Sequence, residues 1–220
     1  MRNNAADPGK RKKLRIAANA LIAAAVLAAW LMMLFGGEGT LSSRGLGSLK
    51  YFTTLSNLLE GAASVWWLIA ALRSGTRLAE RLKFVAAAAV MLTFTVVMTF
   101  LGPLYGYRYM FGGANLWFHL LVPLMAAAEF ILLGDGTMTR RDDLLAVLPP
   151  LLYGAVYLCN ILVNGVGEYP HTNDWYGFVL WGLPVSIVIF AVICGVTYLL
   201  ALMLRKLSTA AQKREKPADR

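Results

Sequence analysis

The sequence predicts an all-α fold, a polytopic membrane bundle of six transmembrane helices, and three observations carry that prediction. Hydrophobic residues fill 58% of the 220 positions and charged residues only 15%, too few to clothe a soluble domain of this size. The apolar residues gather into six runs, each near the ~20 residues a helix needs to cross the hydrocarbon core. Lys and Arg collect beside alternate connections between those runs.

The first run covers 14–36 and follows Lys10-Arg11-Lys12-Lys13. A basic segment before an apolar one also opens a signal peptide. This apolar part is too long for that, and no small-residue cleavage site follows Phe35, so an uncleaved first helix is expected. The remaining runs cover 48–72, 83–105, 115–134, 144–164 and 176–204. Lipid leaves no water for unpaired amides and carbonyls, so each run must be helical. Pro149-Pro150 falls in the first two turns of the fifth run, where a missing amide costs little. The domain organisation expected is one transmembrane unit over 1–207 and a polar, disordered tail over 208–220.

Orientation follows from the cations. One side holds Arg2, Lys10, Arg11, Lys12, Lys13 and Arg15 at the N-terminus, and Arg73, Arg77, Arg81 and Lys83 in the second connection. It also holds Arg140 and Arg141 in the fourth connection, and Arg205, Lys206, Lys213, Arg214, Lys216 and Arg220 at the C-terminus. The other side holds Arg44, Lys50 and Arg108. Both termini are therefore expected in the cytoplasm, in a cell membrane. The net charge of +9 does not signal nucleic acid, because the cations flank apolar runs and line no soluble face. Cys159 and Cys194 lie inside apolar runs without metal-ligand spacing and read as small buried hydrophobes. No metal set, cofactor motif, glycine-rich phosphate loop or nucleophile elbow is present.

Polar residues within the runs point to a site. Thr53, Ser56, Asn57 and Glu60 lie in the outer half of the second run, with Thr53, Asn57 and Glu60 on one helix face. Thr95 and Thr99, Asn115 and His119, and Asn160 and Asn164 are pairs four residues apart near the outer ends of the next three runs. Glu168, His171, Asp174, Trp175 and Tyr176 belong to the outer connection that follows. Polar groups facing lipid are costly, so these stripes are expected to meet in one pocket. Pro103 and Pro123 remove amides that a regular helix would aim at the carbonyls of Thr99 and His119. Thr53 and His119 each lie about five residues in from the outer end, roughly 7 Å deep at ~1.5 Å per residue. A hydroxyl nucleophile needs a base within reach, and His is the usual one. A structural reading stands beside this one, since Thr in membrane helices commonly bonds its own preceding turn and Asn commonly joins helices.

The segment Tyr51-Phe52-Thr53-Thr54-Leu55-Ser56-Asn57-Leu58-Leu59-Glu60, with Asn115, His119 and Glu129 downstream, resembles the androgen-induced-protein family of six-helix membrane proteins. The resemblance implies an intramembrane threonine hydrolase of fatty acyl esters, with Thr53 as nucleophile and His119 as base. The sequence departs from the family at Ser56, where animal members carry an acid or amide, and at Glu60, where they carry Gln. The expected partners are membrane lipids and a lipid ester substrate. Ser56, Asn57, Glu60, Thr99, Asn115, Asn160 and Asp174 are the expected pocket residues, with Asn57 a candidate oxyanion donor. The competing expectation is a proton-coupled transporter or small-molecule carrier in which Glu60, His119 and Glu129 form a relay.

Overall fold

A computed structural model of the chain describes residues 8–35, 45–73, 77–168 and 171–215. Among the described residues six helices are long and apolar enough to cross a membrane: α1 (Pro8–Phe35), α2 (Phe52–Leu72), α3 (Arg77–Tyr105), α4 (Ala114–Leu133), α5 (Arg140–Asn164) and α6 (Leu183–Glu215). The chain is thus a polytopic helical membrane protein. Many large apolar side chains remain on its outside, among them Leu21, Leu27, Val65, Leu152 and Ile187. That exposure would be ruinous in water, whereas lipid is as apolar as the side chains themselves.

Small residues set the packing. α3 runs through the middle, against α2, α4 and α6, and α1 lies against both α2 and α4. Ala86, Ala87, Ala88 and Ala89 are all fully buried on α3, so neighbouring backbones approach it from several sides. A Cβ on Gly61 of α2 would stand 2.8 Å from Val26 of α1, so only glycine permits that crossing. A Cβ on Gly154 of α5 would stand 2.0 Å from the Phe190 ring of α6. α5 opens with a capping box, in which Thr139 and Asp142 satisfy each other's backbone amides. Asp142 also pairs with Arg81 at 2.9 Å, and Asp143 takes a forked bond from Arg205 at 2.8 and 3.0 Å. These pairs tie the start of α5 to α3 and α6 at the basic end of the bundle.

Two expectations need correction. Residues 208–215 continue α6 as helix and do not form a tail. Ser208 is buried and its hydroxyl donates to the Phe130 carbonyl at 3.2 Å, which docks this last stretch against α4. Residues 216–220 of that expected tail, and Arg2 and Arg44 of the charge count, lie outside the described residues. Lys83 and Arg15 are not interfacial charges either: both are buried between helices.

Candidate functional site

Each of two helices breaks its α-helical register just ahead of a proline. α3 carries a π-helical turn at Val97–Leu101 before Pro103, and α4 carries one at Trp117–Leu121 before Pro123. In α4 the Val122 amide reaches back five residues to the Trp117 carbonyl. Residue 123 has no amide to offer, so the orphaned acceptor is the Phe118 carbonyl. In α3 the Gly102 amide bonds Val97, and Met98 is orphaned in the same way. The carbonyls that take side-chain donors here, Met98 and Phe118, each precede by one residue the Thr99 and His119 carbonyls expected from a regular helix. Both orphans are answered by side chains. Tyr107 donates its hydroxyl to the Met98 carbonyl at 2.8 Å, and Asn57 of α2 donates to the Phe118 carbonyl at 3.1 Å.

Asn57 is the hinge of the site. It is fully buried, and its Nδ2 also donates to the Thr53 carbonyl at 2.8 Å. Both amide hydrogens are thus spent on backbone carbonyls of different helices, which brings the Thr53 and Phe118 carbonyls within about 6 Å of each other, the two bonds at 2.8 and 3.1 Å laid end to end. The oxyanion role expected of Asn57 is closed, since no N–H remains. Thr53 is half-buried, and its hydroxyl makes no hydrogen bond among the described residues. His119 follows Phe118 in the π turn and is buried, with Nδ1 2.7 Å from the Met110 carbonyl. A carbonyl can only accept, so Nδ1 carries the hydrogen and Nε2 is left with the lone pair of a base. Met110 is held for this by the short helical turn Tyr107–Met110, which Gly106 starts at a φ of 91°.

The other expected pocket residues disperse. Ser56 shares a hydrogen bond with Thr93 of α3 at 3.0 Å and donates to the Thr53 carbonyl at 3.1 Å. It also lines a groove of about 330 Å³ between α2 and α5, with Leu55, Leu59, Leu152, Tyr153 and Val156 among its other walls. Asn115 is buried at the start of α4. Thr99 is exposed and bonds back to Thr95 of its own helix at 2.7 Å, and Thr95 bonds Met91 likewise. Asn160 sits with Asn164 and Asn173 in a chain of amides. Asp174 caps the turn Phe178–Trp181, taking the Phe178 and Val179 amides at 2.9 Å each, and accepts the Tyr157 hydroxyl. The loop it anchors lies over the start of α2, where Tyr176 accepts the Phe52 amide at 2.9 Å; burial raises the Tyr176 phenol above its ordinary range. A single pocket uniting four polar stripes is not what forms, because hydroxyls and amides near helix ends find partners in their own helix or its adjoining loop.

Glu60 goes to a second centre, toward the basic end. Lys83 of α3, fully buried, bonds Glu60 and donates to Ser64 at 3.0 Å, with Glu129 Oε2 of α4 at 3.4 Å. Arg15 of α1 pairs with both oxygens of Glu80 and, through Nε, with Glu129 Oε1 at 2.7 Å. Asn19 donates to the same Glu129 oxygen at 3.0 Å, and the Trp67 indole donates to Glu80 at 2.9 Å. Charges this deep persist only when paired. Arg15 and Lys83 read in the sequence as flanking cations, and Glu80 and Asn19 do not stand out beside them. The signal for them was Glu60 and Glu129, two acids inside spans that demand cations on other helices. Among the described residues, no group of His, Cys, Asp and Glu is arranged to hold a metal ion. Comparison with protein-family models, curated proteins and solved structures finds no match to this chain.

Proposed function

We propose that the chain is an intramembrane hydrolase of fatty acyl esters in which Thr53 is the nucleophile and His119 the base. One observation carries the reading: Asn57 clamps the Thr53 turn of α2 to the π turn of α4, where His119 is fixed in the tautomer that leaves Nε2 basic. Thr53 Oγ1 attacks the ester carbonyl while Nε2 takes its proton. That proton then goes to the leaving alkoxide, and the alcohol departs. Water, deprotonated by the same nitrogen, attacks the acyl-threonine, releasing the acid and restoring the hydroxyl. The apolar groove between α2 and α5 suits an acyl chain entering from the lipid. The likeness of the α2 and α4 motifs to the androgen-induced-protein family supports the same chemistry, and the cation count supports cytoplasmic termini.

The test is labelling of the purified protein by a lipid-like fluorophosphonate, alongside hydrolysis of a fatty acyl ester. Thr53→Ala and His119→Ala should each abolish both, and Thr53→Ser should keep part. The double variant should lose little more than either single one, because nucleophile and base act as a unit. Labelling that survives Thr53→Ala would sink the proposal. The joining of Glu60 and Glu129 through Lys83 favours a second reading, a proton-coupled carrier. His119 bonds Met110 rather than either acid. In that reading Glu60→Gln abolishes proton-coupled uptake into vesicles, whereas a hydrolase keeps its turnover.

A further inference from the structure

The charged centre does not balance. It holds two cations, Arg15 and Lys83, and three carboxylates, Glu60, Glu80 and Glu129. A lone excess charge buried between membrane helices is not sustained, so one carboxylate must be neutral. The share of cations says which. Glu80 takes two nitrogens of Arg15 and the Trp67 indole. Glu129 takes Arg15 and Asn19 on one oxygen; its other oxygen makes no hydrogen bond but lies 3.4 Å from Lys83, so two cations face this carboxylate where Glu60 meets one. Glu60 takes Lys83 and Ser64 on Oε1 alone, and its Oε2 is buried with no partner.

A second orphan lies on the same helix. Asn57 Oδ1 is also buried and without a partner. Turning the amide over does not help, because the Asn57 nitrogen faces two carbonyls, which can only accept. Oδ1 therefore requires a donor. Asn57 and Glu60 are three residues apart on α2, neighbours on one face of the helix. One proton shared between two buried acceptors a single helical turn apart satisfies both.

We infer that Glu60 and Asn57 form a proton-binding site in which Glu60 Oε2 carries the proton and donates it to Asn57 Oδ1. The site links the two centres. On one side Lys83 holds Glu60 Oε1. On the other, Asn57 clamps α2 to the π turn beside His119. The charged and titratable groups around it are Arg15 from α1, Glu80 and Lys83 from α3, and Glu129 and His119 from α4. Loss of the proton leaves a second uncompensated acceptor beside Asn57 and loosens that clamp. The inference stands whether or not Thr53 is a nucleophile, and its test reads no turnover.

The experiment is infrared spectroscopy of the full chain in lipid nanodiscs, titrated across pH in water and deuterium oxide. The wild type should show the carbonyl stretch of a protonated carboxyl at neutral pH, moving on deuteration. Glu60→Gln should remove it and still fold, since the Gln amide both accepts from Lys83 and donates to Asn57. Asn57→Leu takes away the acceptor and should lower the pH midpoint of the band by up to about one unit, the worth of one hydrogen bond. Glu129→Gln balances the remaining charges, so Glu60 should ionise and the band should vanish there too. A wild type without a protonated carboxyl at neutral pH overturns the inference whatever the variants do. A band that persists unchanged in Glu60→Gln does the same.

Discussion

Replacing Asn57 by Leu tests the account of the two π turns directly. Leu has the branching and heavy-atom count of Asn, though more bulk, and both donated hydrogen bonds disappear. The Thr53 carbonyl keeps the Ser56 hydroxyl at 3.1 Å and loses little. The Phe118 carbonyl loses its one side-chain partner and, while the π turn holds the Val122 amide on Trp117 and proline stands at 123, has no amide to fall back on. An unsatisfied buried carbonyl costs about 1–3 kcal/mol. Interhelical hydrogen bonds in membranes average nearer ~0.6 kcal/mol, so the low end, about 1 kcal/mol of destabilisation, is expected. The assay is reversible unfolding in mixed micelles, run as a double-mutant cycle with Pro123→Ala. That second change gives residue 123 an amide that can bond the Phe118 carbonyl. The two substitutions should therefore be coupled by about 1 kcal/mol, the double variant being more stable than the sum of the single effects. Strict additivity, or an Asn57→Leu protein within about 0.5 kcal/mol of the wild type, the scatter allowed to independent sites, would refute the reasoning.

Arg15→Met should cost about 3–5 kcal/mol in the same unfolding assay, because Glu80 is left buried without a cation and Glu129 keeps only Lys83, and adding Glu80→Gln should recover part of the loss. Truncation after Leu207 should destabilise the bundle measurably, since it removes the Ser208 contact with Phe130; an unchanged unfolding midpoint would restore the tail as mere appendage. In a protein lacking Cys159 and Cys194, an impermeant thiol reagent on intact cells should modify Gly112→Cys and spare Thr137→Cys. Gly112 is chosen over Gly113 because the latter holds a φ of 54° that a side chain strains. The reverse labelling pattern would overturn cytoplasmic termini.

The sequence by itself determined the number and approximate limits of the membrane helices, because backbone groups in hydrocarbon have no partner except one another and ~20 apolar residues admit one solution. It also picked out Thr53, Asn57 and His119, through the simple expense of polar side chains at that depth. The tertiary structure decided the rest. Nothing along α4 records that the turn before Pro123 is π or that Asn57, from α2, is the donor that answers the Phe118 carbonyl there. Arg15 and Lys83 sit where a cation could as easily face headgroups. They turn inward because Glu60, Glu80 and Glu129 arrive there from three different helices, and no pattern along one helix records which of its faces another will meet.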